Sequence, residues 1–277
     1  MMQTSAVAVS TGMPPSTVVC VLGMHRSGTS MVTRLAAAAG VRLGPDDLMM
    51  RAHEVDNPTG YWEYQGIVDI NDRILEAYGG SWDDPPVFDE EWEHSPGLLG
   101  FRAEARELMA PLVACGDVIG WKDPRMSLLL PFWNTVIPIT ATLLVHRHPF
   151  AVAASLASRD GMDSEQAAAL WSRYTVEGWR AHPNRAAIAY EYALADPEGA
   201  TANIASFLDL GLVEASVEQE LAGFVDPSLN RNGDERPEIG PAMTLALSLH
   251  AVMESQDFGT IDAIFGALHD EWLRRAA

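Results

Sequence analysis

VVCVLGMHRSGTSMV, residues 18–32, decides how the rest of the chain is read. An aliphatic run from Val18 to Leu22 meets Gly23, and after four intervening residues Gly28 is followed by Thr29 and Ser30. A strand, a glycine turn and a helix in that order make a phosphate loop: backbone N–H groups converge, and the positive end of a helix dipole faces the anion. An ATP-type loop reads G-x-x-x-x-G-K-[ST]. Here Thr29 stands at the lysine position and Arg26 lies upstream. Without that lysine the loop suits one terminal phosphate rather than a triphosphate tail. Ser27, Thr29 and Ser30 add hydroxyl donors, and Gly28 lets the backbone approach closely.

Outward from this loop, strand and helix patterns alternate. Thr17–Leu22 reads as a strand and Ser27–Ala39 as a helix. A Pro/Asp/Asn-rich loop leads to a helix over Ile67–Tyr78, and the acidic stretch SWDDPPVFDEEWEHSPG (81–97) reads as irregular. Helices are expected over Phe101–Val113, Phe150–Ala157, Asp163–Arg180 and Pro197–Leu208; strands over Asp117–Trp121, Thr140–His146 and Ala186–Tyr190. From Glu214 the pattern is helical, interrupted by FVDPSLNRNGDERPEIGP (224–241). This alternation predicts an α/β fold, a P-loop-type central parallel sheet flanked by helices. No repeat or linker divides the chain, so residues 1–16 are expected to be a loose leader and 17–277 a single domain. The leader lacks the basic start and apolar stretch of a signal peptide.

Composition narrows the function. A hydrophobic fraction of 48% and a charged fraction of 20% over 277 residues describe an ordinary globular protein, and no apolar run approaches the ~20 residues of a membrane span. The net charge of −20 argues against nucleic acid or an anionic membrane as partner. Any polyphosphate ligand must then be held by a few local cations and backbone amides, which makes the placement of the 18 Lys and Arg residues informative. Cys20 and Cys115 belong to no metal or redox motif and read as reduced cysteines of a cytoplasmic protein. No His/Cys/Asp ligand set stands at metal-site spacing.

With these residues in view, GMHRSGTS (23–30) resembles the 5′-phosphosulfate loop of sulfotransferases that use 3′-phosphoadenosine 5′-phosphosulfate (PAPS), in which a basic residue precedes Ser-Gly-Thr; Arg26 matches it. The family's 3′-phosphate element is a strand ending in Arg with Ser eight residues later. LLVHRHPFAVAASL (143–156) supplies Arg147 and Ser155 at that spacing. GWKDPR (120–125) resembles the Lys-Asp-Pro segment of protein-tyrosine and related sulfotransferases, which implies Lys122 at the active site. IAYEYALADPEGATANIASFLDL (188–210) is similar to the family's strand-Glu-Leu-x-x-Asp-Pro helix. NPTGYWEY (57–64) resembles a segment of a bacterial subgroup. The four main elements come in family order.

The resemblance implies a PAPS-dependent, metal-independent transfer of a sulfuryl group to a hydroxyl or amine, with Arg26 and Lys122 relieving charge on the leaving oxygen. Arg26, Ser27, Gly28, Thr29 and Ser30 would hold the 5′ side of the nucleotide, and Arg147 and Ser155 its 3′-phosphate. Glu63 is the first choice for the general base, against His53, Glu54, Asp46 and Asp47; bracing the loop is the alternative role for Glu63. No Lys-Gly-x-x-Gly-Asp-Trp clamp is found, and LNRNGDERP (229–237) takes its place as a candidate cover through Arg231. Glu191 reads as a strand-end brace, Arg125 as a partner of Asp123 or an acidic loop, and Trp62 and Trp82 as core. A small metabolite, a glycan or lipid headgroup, and a tyrosine peptide all remain as acceptors. A P-loop nucleoside or nucleotide kinase and a catalytically silent nucleotide-binding scaffold remain the competing readings.

Overall fold

The computed structural model describes residues 15–50, 62–211 and 239–276. In chain order it contains β1 (Thr17–Leu22), α1 (Thr29–Ala38), α2 (Gln65–Ala77), α3 (Leu99–Val113), β2 (Val118–Lys122), α4 (Met126–Asn134), β3 (Ala141–His146), α5 (Pro149–Asp160), α6 (Ser164–Arg180), β4 (Arg185–Ala189), α7 (Tyr190–Ala195), α8 (Pro197–Phe207), α9 (Pro241–Glu254) and α10 (Phe258–Ala276). The strands form a four-stranded sheet in the order β2-β1-β3-β4, and every pairing is parallel.

β1 and β3 sit in the middle because they are apolar on both faces. All six residues of β3 are buried, as are the last five of β1. Val18, Cys20, Leu22 and Leu144 pack toward a large layer containing Trp121, Trp133, Trp171 and Trp179. Val19, Val21, Leu143 and Val145 point the other way, against Val32 and Leu35 of α1 and Ile204 of α8. This period-two alternation with apolar residues on both faces is what a covered parallel sheet requires. Leu22 and Leu144 are fully buried, and each such side chain stabilises the fold by about 1.5–3 kcal/mol relative to exposure.

The sheet matches the expected architecture, with three local differences. α1 begins at Thr29 instead of Ser27, because Arg26 and Gly28 both adopt left-handed backbone (φ 68° and 86°) that no helix can contain. α4 is a helix the sequence pattern concealed: MSLLLPFWN is apolar almost all round and carries Pro131, which removes one helical hydrogen bond. Tyr190, expected to end a strand, starts α7 instead.

The order β2-β1-β3-β4 also fixes where a ligand can sit. The chain leaves β1 toward β2 on one side and leaves β3 toward β4 on the other. The C-terminal ends of β1 and β3 therefore flank a switch point, the crevice where open α/β sheets bind ligands.

Candidate active site

The loop after β1 is shaped by close approaches. Gly23 has φ 140°, and a Cβ on it would stand 2.4 Å from the Val145 carbonyl oxygen. Its N–H donates to Ser127 Oγ at 2.9 Å, tying the loop to α4. The turn closes with Ser27 N–H donating to the Met24 carbonyl at 3.1 Å. Gly28 then lies so near the Tyr190 ring that a Cβ would meet it at 2.1 Å. α1 starts immediately afterwards with no acidic residue in its first turn and, among the described residues, no side-chain cap. Its orphan amides and the positive end of its dipole are thus available to an anion. Ser27 Oγ is buried and has no hydrogen-bond partner among the described residues.

Arg26 of this loop, Arg147 just after β3 and Ser155 of α5 converge here. Arg26 Nε donates to Ser155 Oγ of α5 at 2.8 Å, and Arg147 Nη1 donates to the Arg26 carbonyl at 3.2 Å. The Arg147 guanidinium lies over the Tyr190 ring, 4.5 Å from its centroid. Burial pulls its pKa below the ordinary arginine value, opposed by Tyr190 and Glu191; a guanidinium remains cationic nonetheless. Glu191 accepts the His148 N–H at 3.0 Å, which braces the end of β3 as expected.

On the other side of the loop stands Lys122, the last residue of β2, in register with Val21. Its side chain is 2% exposed. Nζ donates to Ser30 Oγ at 3.2 Å and is ion-paired with Glu63. Burial raises the Glu63 carboxyl above the usual carboxylate range, against the opposing pull of Lys122. Asp123 organises the segment beyond: it accepts from Arg125 N–H at 3.0 Å, Arg125 Nη1 at 2.9 Å and Asn71 Nδ2 at 2.9 Å. Arg125 also pairs with Asp72. Arg125 is therefore a structural cation.

His25 was not singled out by the sequence. Its ring packs between Trp82 (centroids 4.5 Å apart) and Tyr174 (5.9 Å), and its buried Nε2 has no hydrogen-bond partner among the described residues. Burial, reinforced by Arg125, Arg159, Lys122 and Arg26, holds its pKa well below the ordinary imidazole value. Proximity to the glycine loop was the available signal. The direction of the ring was not.

The structure thus brings Arg26, Ser27, Gly28, Thr29, Ser30, Lys122, Glu63, Arg147 and Ser155 to one edge of the sheet. Asp46 and Asp47 lie exposed on a 3-10 turn. His53, Glu54 and Arg231 lie outside the described residues. Trp62 stacks under the Arg34 guanidinium at 4.3 Å, and Trp82 packs against the core.

A parallel sheet with a glycine loop and an uncapped helix N-terminus at its C-terminal edge defines a P-loop-type α/β protein. Residues 19–214 match the model of the sulfotransferase family, and the chain belongs to that family. No curated protein sequence gives a significant match. Among solved structures, the sulfotransferase domain of the Synechococcus PCC 7002 olefin synthase aligns with 15% identity and a TM-score of 0.48, covering 89% of this chain and 98% of that one. A sulfotransferase from Mycobacterium tuberculosis H37Rv aligns with 16% identity and a TM-score of 0.48, covering 84% of this chain and 77% of that one.

Proposed function

We propose that the chain transfers a sulfuryl group from PAPS to a hydroxyl or amine of a small acceptor, by in-line displacement and without a metal ion in the transfer step. The observation that carries this reading is the Arg147–Arg26–Ser155 linkage across the switch point. In this reading its two cations serve two phosphates, as a nucleotide phosphorylated at both 3′ and 5′ demands. The fit has independent support: the uncapped start of α1 and the orphaned Ser27 Oγ want an anion. Ser155 Oγ accepts from Arg26 and keeps its own O–H to donate.

In this reading Ser27, Gly28, Thr29 and Ser30 hold the 5′-phosphate, and Arg147 and Ser155 hold the 3′-phosphate. Glu63 takes the acceptor's proton as the new bond to sulfur forms; its raised pKa matches that task. Arg26 and Lys122 neutralise the charge left on the bridging oxygen as its bond to sulfur breaks, and that oxygen departs with the 5′-phosphate. The acceptor belongs among small metabolites, glycans or lipid headgroups. Among the described residues no helix is long and apolar enough to cross a membrane, and we place the enzyme in the cytoplasm as one domain over 17–277.

The test is transfer of labelled sulfate from PAPS across an acceptor panel, with and without EDTA. Transfer that survives chelation is expected, since side chains supply the cations. Strict Mg²⁺ dependence with ATP as the active donor would overturn the proposal in favour of a kinase, where the ion bridges two phosphates.

A further inference from the structure

Next to the nucleotide edge, β3 and α9 bring together three side chains that the proposed transfer does not use. His146 ends β3, and its ring lies 5.7 Å, centroid to centroid, from that of His250 on α9. Glu254 follows His250 by one helical turn, and its Oε1 stands 3.6 Å from His146 Nδ1. One ligand atom from each of His146, His250 and Glu254 lies within 4.8 Å of the other two. Nδ1 of both histidines is buried with no hydrogen-bond partner among the described residues. His146 is 3% exposed. Two buried imidazole nitrogens without hydrogen-bond partners are costly unless something answers them.

The helix that carries two of the three groups is firmly placed. The Glu165 carboxylate accepts the N–H groups of Gly240, Ala242 and Met243 at 2.9–3.1 Å, capping the start of α9. Met243, Ala246, Leu249 and Met253 bury its inner face. We propose that His146, His250 and Glu254 form a site for a borderline divalent transition metal ion, Zn²⁺ above all, which ties α9 to the end of β3.

The donor set fits such an ion: imidazole nitrogen with one carboxylate suits Zn²⁺ and its neighbours, not Mg²⁺ or Ca²⁺. Metal–ligand bonds of about 2.0–2.2 Å place tetrahedral ligand atoms roughly 3.3–3.6 Å apart. The His146–Glu254 contact already has that spacing; all three ligand atoms lie within 4.8 Å of one another, so small side-chain rotations suffice to gather them, with water in the fourth position. The ion is structural and lies outside the transfer step, so this inference stands or falls independently of the sulfuryl-transfer reading.

The experiment uses the full chain, stripped with chelator and dialysed, then titrated calorimetrically with Zn²⁺ and followed by thermal unfolding. One ion per chain is expected, with Tm rising by several degrees, since a ligand bound only by the folded state stabilises it. Mg²⁺ and Ca²⁺ should give no such rise. His250→Ala and Glu254→Gln, both on the partly solvent-facing helix, should each weaken Zn²⁺ binding by about tenfold or more. Cys115→Ser, which removes the exposed thiol, should leave it unchanged. Absence of stoichiometric binding, or binding that survives both helix substitutions, overturns the proposal.

Discussion

Lys122 Nζ is held in a buried ion pair with Glu63 while it also donates to Ser30 Oγ at 3.2 Å. One ammonium therefore joins the end of β2, the chain just before α2 and the first turn of α1. Removing it has two separable consequences. Lys122→Met leaves Glu63 buried without its cation, which typically costs about 3–5 kcal/mol. The double variant Lys122→Met with Glu63→Gln should recover most of that stability, because a neutral amide replaces a stranded carboxylate.

Turnover should not recover with it, since the double variant lacks both Lys122 and the proposed base Glu63. An interaction that strengthens as charge builds on the leaving oxygen appears in kcat more than in binding. Lys122→Met should lower kcat on the order of a hundredfold or more, while affinity for the product nucleotide stays within a few-fold. Unfolding midpoints on the single and double variants check the stability statement, and single-turnover rates on Lys122→Met check the statement about kcat. Wild-type turnover in Lys122→Met would reduce Lys122 to a structural cation.

Gly28 should tolerate nothing larger. Its φ of 86° and the Tyr190 ring 2.1 Å from a built Cβ mean that Gly28→Ala strains the loop and displaces the ring beneath Arg147. Loss of nucleotide binding and a lowered Tm are expected. Gly79→Ala is the control, with φ 80° and open space around it; it should pay only the backbone strain and bind normally. Normal nucleotide affinity in Gly28→Ala would mean that the loop is not the phosphate seat.

His25 makes a prediction about pH. Burial and four nearby cations keep it neutral in the fold, whereas the unfolded chain takes up a proton near pH 6.5. Below that value the unfolded state binds more protons, so stability is fully present above it and is lost as pH falls toward the lowered folded value. Chemical denaturation at pH 7.5 and 5.5 should show a smaller stability drop in His25→Gln than in wild type. Equal drops would show that His25 titrates normally.

Much of this was legible in the sequence because it is local. β1, the glycine turn and α1 follow from an aliphatic run, two glycines and three hydroxyl residues in fifteen positions. Arg147 and Ser155 sit at a fixed offset across one strand–helix junction. The contents of α4 were hidden because Pro131 and an all-apolar run erase helical periodicity. Side-chain partnerships were hidden because they are tertiary. Glu63 and Lys122 are 59 residues apart, and His146 meets His250 and Glu254 only through the packing of α9, whose start is capped by Glu165 of α6. No spacing rule connects them.

The central claim is tested most directly by calorimetry with two nucleotides, 3′-phosphoadenosine 5′-phosphate and AMP, on wild type and Arg147→Ala. The two ligands differ by the 3′-phosphate alone, the group assigned to Arg147 and Ser155. Charge-assisted hydrogen bonds of this kind contribute about 1.5–3 kcal/mol each, so wild type should bind the 3′-phosphorylated nucleotide at least about tenfold more tightly. Arg147→Ala should lose most of that preference while keeping its affinity for AMP. Equal affinity of the wild-type protein for both nucleotides would contradict the assignment of PAPS as donor.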